Sequence, residues 1–218
     1  MYQVKSAFTD FLESRTRQDI NYGFFLINTY DTRDLYAYPR KGTYIQLLYQ
    51  KSGWFSENIN YAKYHLDLRK YFSWNDFIIA SRFFTKQSRG NLPVYDKIFF
   101  GFSERIRGHF NESESGNHLL STGLAIRFPL MKLRYFNMPT VLLPESSTRN
   151  MKFGINGGIF GESGIVWSKK DEFKKENFIN GFGFGVHFLL PYIEVLRIDM
   201  AFDEKFKREF IIEIEMPF

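Results

Sequence analysis

The sequence predicts an all-β protein, a transmembrane antiparallel β-barrel of about nine or ten strands, and three observations carry that expectation. The C-terminus, Arg208-Glu-Phe-Ile-Ile-Glu-Ile-Glu-Met-Pro-Phe218, alternates with period two and stops on an aromatic residue. Phe210, Ile212, Ile214, Met216 and Phe218 share one face, and Ile211, Glu213, Glu215 and Pro217 the other. An apolar outside against a mostly polar inside is the pattern of a lipid-facing wall, and a terminal strand that stops on an aromatic residue is the signature of a bacterial outer-membrane barrel. Second, 26 Phe, 13 Tyr and 3 Trp make the chain 19% aromatic, yet its mean hydropathy is negative. Third, no stretch approaches the roughly 20 consecutive apolar residues of a membrane-spanning helix, whereas a barrel strand needs only about 9 to 11 residues, half of them apolar.

Strands are predicted near 20–30, 43–53, 58–71, 75–87, 119–131, 151–168, 180–191, 194–204 and 207–218, with a tenth, weaker one near 3–14. In Tyr61–Arg69, the charged face Lys63, His65, Asp67 and Arg69 opposes Tyr64, Leu66 and Leu68. In Gly181–Leu190, Phe182, Phe184, Val186, Phe188 and Leu190 oppose three glycines and His187. In Leu196–Phe202, Leu196, Ile198, Met200 and Phe202 oppose Arg197, Asp199 and Ala201. A soluble sandwich alternates likewise. Large Phe, Ile, Leu and Met side chains recur on nearly every strand, however, more than one core layer holds.

Connections near 72–75, 191–194 and 203–207 read as tight, and those at 88–118, 131–150 and 169–178 as long and polar. Such asymmetry is expected of short periplasmic turns and longer extracellular loops. The start, Met1-Tyr-Gln-Val-Lys-Ser-Ala-Phe8, has no apolar h-region, so the chain is expected to be trimmed relative to an exported precursor. One barrel domain over 1–218 is the expected organisation.

Several function classes are excluded by composition and spacing. The absence of Cys rules out disulfides and thiolate sites, and His65, His109, His118 and His187 lack metal-site spacing. Lys and Arg alternate with Asp and Glu along strands, so the net charge of +5 does not signal nucleic-acid binding. Gly161-Glu-Ser-Gly164 has the wrong spacing for a nucleophile elbow, and no Gly-Lys-Ser/Thr follows the glycines at 154–164. Neither an enzyme activity nor a cofactor is expected.

Four motifs occur in order. Asp31-Thr-Arg-Asp34 with Pro39-Arg-Lys-Gly42 punctuates a strand–turn–strand, in which Asp31, Arg33 and Asp34 offer mixed charges and Gly42 a turn residue. Phe99-Phe-Gly-Phe-Ser-Glu-Arg-Ile-Arg-Gly-His-Phe110 carries Arg107 beside Gly108. Gly123-Leu-Ala-Ile-Arg-Phe-Pro-Leu130 puts Arg127 opposite Leu124, Ile126, Phe128 and Leu130, on the lumen side. Gly157-Gly-Ile-Phe-Gly-Glu-Ser-Gly-Ile-Val-Trp167 carries Glu162.

Together these resemble the C-terminal barrel of the BamA/TamA superfamily, also called the bacterial surface antigen family, whose members insert or translocate proteins at outer membranes. The resemblance implies that the Arg107–Gly108 loop folds into the lumen and that Arg107 pairs with Glu162, with Arg127 as competitor or third member. His109 replaces the usual aromatic, Phe102 the second glycine, and Ala125 a common acidic residue. It further implies a weak lateral seam at the terminal strand, local bilayer thinning, and a client strand that pairs with the exposed edge. Outer-membrane lipid and unfolded outer-membrane clients are the implied partners. Family barrels have 16 strands, so this chain is expected to be a fragment, to combine with further copies of itself, or to close as a small barrel. The alternatives are a membrane anchor or export barrel for an N-terminal passenger such as a patatin-like domain, and a passive pore.

Overall fold

The computed structural model describes residues 2–3, 18–19, 21–54, 59–101, 104–109, 112–137, 149, 151–191 and 195–214. Among them, nine strands form one antiparallel sheet: β3 (Gly23–Asp31), β4 (Gly42–Ser52), β5 (Asn60–Trp74), β6 (Phe77–Asn91), β9 (His118–Phe136), β10 (Met151–Trp167), β11 (Ile179–Leu189), β12 (Leu196–Phe202) and β13 (Arg208–Glu213). Their order is β13-β12-β11-β10-β9-β6-β5-β4-β3. Two small pairs stand apart, β1 (Tyr2–Gln3) with β2 (Gln18–Asp19) and β7 (Ile98–Phe100) with β8 (Glu114–Gly116). The predicted strand near 3–14 falls almost wholly outside the described residues, as do Met216 and Phe218 of the terminal strand.

Alternation explains the wall. Phe182, Phe184, Leu124, Ile159, Phe210 and Ile212 are exposed on the outer face, an apolar surface suited to lipid. Inward, Tyr71, Ala80, Ala125, Phe160, Ala201 and Ile211 form one buried cluster. These residues come from β5, β6, β9, β10, β12 and β13, so the inner face is concave.

Neighbouring strands are joined in sequence except between β6 and β9, where the 92–117 loop leaves the wall. The pairing Trp74↔Phe77 leaves Asn75-Asp76 as a two-residue hairpin turn, and Asn75 takes the positive φ of 54° that this turn needs.

The long connections do not share one end. The pairs Gln87↔His118, Trp167↔His118 and Phe182↔Phe202 place 92–117, 168–178 and the tight turn 203–207 together. Phe136↔Met151 places 137–150 at the opposite end, with the Asn75-Asp76 turn and the 32–41 hairpin. Strand direction reverses at every step, so a connection's end follows its place in the strand order and not its length.

Candidate functional site

Two insertions occupy the concave face, one from each end. The first is the loop between β6 and β9, whose base is the β7–β8 hairpin. Ile98, Phe100 and Ile106 pack with Phe84 and Leu119 in a second buried cluster, which carries the loop down against the wall and delivers Arg107 to the lumen.

Arg107 is 6% exposed. Its Nε donates to Glu162 Oε1 at 2.7 Å, its backbone N–H donates to Oε2 at 2.9 Å, and Nη2 also bonds Oε1. Nη1 donates to Asp199 Oδ2 at 2.9 Å, and the guanidinium lies 3.4 Å from the Phe160 ring centroid. The planar fork thus serves two carboxylates on two strands while its face stacks on an aromatic, an arrangement Lys could not reproduce. Asp199 is fully buried and also meets Arg197 Nε at 2.9 Å; Arg197 in turn bonds Glu213 on β13.

Backbone space is equally specific. Gly108 has φ +100°, and a Cβ there would stand 2.7 Å from the Phe202 carbonyl oxygen; its N–H donates to Glu209 Oε2 at 3.1 Å. A Cβ on Gly181 would fall 1.7 Å from the Arg107 carbonyl oxygen, so β11 accepts the loop only because position 181 has no side chain.

His109 gives the loop a polar anchor at the position where the sequence departs from an aromatic. Nδ1 lies 2.8 Å from Glu112 Oε2, and Nε2 lies 2.9 Å from Glu204 Oε2 and 3.2 Å from the Asn180 carbonyl. Both ring nitrogens face acceptors, which only the imidazolium satisfies. Burial would lower its pKa, but the hydrogen bond to Glu112 and the charges of Glu204 and Glu112 outweigh it, so His109 titrates above the ordinary imidazole value.

A further anchor had no signature in the motifs. Glu104, at the start of the turn, takes Arg82 Nη1 at 3.0 Å and Nη2 at 3.1 Å, and Arg82 also bonds Asp67, which pairs with Arg69. Alternation had placed Asp67 and Arg69 on the charged face of β5, but nothing local linked them to residue 104.

The second insertion is the 32–41 hairpin. Arg33 grips Asp31 through Nε at 2.9 Å and Nη2 at 2.6 Å and stacks over Tyr44 at 4.5 Å. Asp34 Oδ1 accepts the backbone N–H groups of Leu35, Arg40 and Lys41 at 3.0, 2.9 and 3.2 Å. Gly42 closes the hairpin at φ +115°.

Arg127 is 1% exposed on the lumen face but is not the third member of the Arg107–Glu162 pair; Asp199 is. Instead Arg127 Nη1 donates to the Pro39 carbonyl at 3.4 Å, and its guanidinium stacks 4.7 Å from the Tyr38 ring. Asp199 is already shared by the Arg107 and Arg197 guanidiniums, and the hairpin supplies Arg127 with an aromatic face and a carbonyl instead. Phe210 and Ile212 face outward on β13, and Ile214 follows, exposed.

The comparisons agree with this architecture. A search of curated sequences finds no match. Among solved structures, the chain resembles BamA from Haemophilus ducreyi lacking POTRA domains 1–3, with a TM-score of 0.60 and 15% identity over 88% of this chain. It spans 41% of that chain. The Omp85 superfamily domain matches residues 2–213. A nearly all-β antiparallel wall with an apolar outer face, filled by an Arg-bearing loop and matched along almost its whole length, belongs to the Omp85 superfamily of bacterial outer-membrane β-barrels.

Proposed function

We propose that this chain is the working wall of a protein assembly or translocation barrel, in which the docked 104–109 loop stabilises the lumen side and β13 forms a seam for client strands. The observation that carries this reading is the Arg107 clamp on Glu162 and Asp199. It ties one loop to β10 and β12, the strands leading to β13, and Gly108 extends the tie to Glu209 on β13 itself. Among the described residues the outer edge of β13 pairs with no strand. Strand addition to such an edge is the means by which an extended client could join the wall. Loop and hairpin together fill the concave face, which favours a plugged wall over a passive pore.

The barrel is tested in liposomes together with whatever strands complete it in its natural polypeptide or assembly. Insertion of an unfolded outer-membrane client is followed by protease protection, with and without Arg107→Met. Client insertion that depends on Arg107 supports the reading. Insertion no faster than in empty liposomes for the parent protein would overturn it. Transport of a covalently attached N-terminal passenger alone would favour an anchor or export barrel, and open conductance that persists with residues 99–110 in place would favour a pore.

A further inference from the structure

We infer that the 32–41 hairpin positions the 104–109 loop from the opposite end of the barrel, through Tyr38, His187 and Asp199. Tyr38, at the hairpin tip, is 6% exposed and packs against Ile78 and Val195. Its hydroxyl lies 3.2 Å from His187 Nδ1. His187 Nε2 faces Asp199 Oδ1 at 3.6 Å, and Asp199 Oδ2 holds Arg107 Nη1 at 2.9 Å. These contacts form a continuous polar path from the hairpin to the loop, across β11 and β12.

The chemistry sets its direction. A carboxylate beside Nε2 favours the tautomer with hydrogen on Nε2, which leaves Nδ1 as acceptor and the Tyr38 hydroxyl as donor. The hairpin therefore holds the imidazole in the orientation that presents N–H to Asp199. At 3.6 Å this last contact is electrostatic and not a full hydrogen bond, and Oδ1 has no hydrogen-bond partner among the described residues. Asp199 is thus held mainly by what lies on its two sides: the imidazole, itself fixed by Tyr38, and the Arg107 and Arg197 guanidiniums. Tyr38 and His187 are positioning residues for Arg107 by way of Asp199. Arg127, stacked on Tyr38 and bonded to Pro39, holds the hairpin in place for that role.

The inference rests on the docked loop being the functional state, but its test does not use client insertion. The chain contains no Cys, so Ile106→Cys, buried in the docked loop, and Lys174→Cys on the 168–178 connection report thiol-labelling rates in the folded barrel. Tyr38→Phe keeps the ring packing and removes only the hydroxyl. It is expected to speed labelling at position 106 by about three-fold or more and to leave position 174 unchanged. In an Asp199→Asn background the same substitution is expected to add nothing, because the path is already cut. If Asp199→Asn yields no folded band, His187→Gln supplies the background with the same two outcomes. An unchanged rate at 106, equal acceleration at 106 and 174, or independent multiplication of the two effects would each overturn the inference.

Discussion

Arg107 and Asp199 stand 2.9 Å apart on the concave side of the wall, 92 positions apart in the chain, and Asp199 has no exposed surface. This pair converts a two-member contact between loop and wall into a clamp on two strands, since Glu162 belongs to β10 and Asp199 to β12. A buried carboxylate is costly unless paired. The loop is therefore part of what makes the β10–β12 wall stable, and its removal leaves the wall with unmatched charge.

Replacing Arg107 with Met should destabilise the folded barrel by about 3–5 kcal/mol, because two carboxylates lose their shared partner. The midpoint of heat-modifiable gel mobility measures it. Exchanging charges with Arg107→Glu and Glu162→Arg should recover only part of the loss, since the new carboxylate at 107 would then face Asp199. Full recovery would show that Asp199 contributes little.

Gly181→Ala should undock the loop without removing a charge, since its Cβ would meet the Arg107 carbonyl at 1.7 Å. Its effect on loop labelling should be no larger in the Arg107→Met background than the Met substitution alone, as both break the same docking. Additive effects would place Gly181 elsewhere in the energetics.

Loop docking should weaken as pH rises. The pKa of His109 in the folded state lies above its ordinary value, so its contribution is fully present below about pH 6.5. That contribution is lost as pH climbs through the raised value. Labelling of a loop thiol across this range should accelerate with pH in the parent protein, after correction for thiol ionisation. With His109→Phe the same profile should be flat.

Asp34→Ala should open the 32–41 hairpin, because three backbone N–H groups lose a common acceptor. The cost should be about 1–3 kcal/mol, and amide exchange at Arg40 and Lys41 should speed first.

Charge on the outer face of β13 should be costly. Ile212→Lys is expected to lower folded-barrel stability in bilayers by roughly 2–4 kcal/mol if the site sits near the midplane, and less toward the interface. Lys205→Glu in the adjoining turn should change it by less than about 0.5 kcal/mol. Unfolding titrations in lipid vesicles compare the two.

The nine wall strands are legible from period-two segments set between turn signals, and most plainly in β5, β11 and β12, where a strand that faces lipid on one side and the lumen on the other writes both environments into adjacent residues. Only the strand expected near 3–14 and the end of the terminal strand fall outside the described residues. The Asp31–Asp34 turn was legible for a similar reason, since its bonds are made within a dozen residues. The ends at which the long connections emerge do not follow from their lengths, because strand parity and not loop size decides them.

What the sequence determined by itself is therefore local: period-two strands, turn residues, an Arg-Gly loop, and a carboxylate on the wall. Only the tertiary structure decided which charges meet. Arg127 and Asp199 are both inward-facing ions, equally eligible by alternation, yet Asp199 takes Arg107 while Arg127 goes to Tyr38 and Pro39 of the hairpin. Glycines 158 and 164 likewise look alike in sequence, but one lies under the His187 ring and the other under Phe100. Register and curvature bring such residues together from distant strands, and neither leaves a signal in the spacing of neighbouring amino acids.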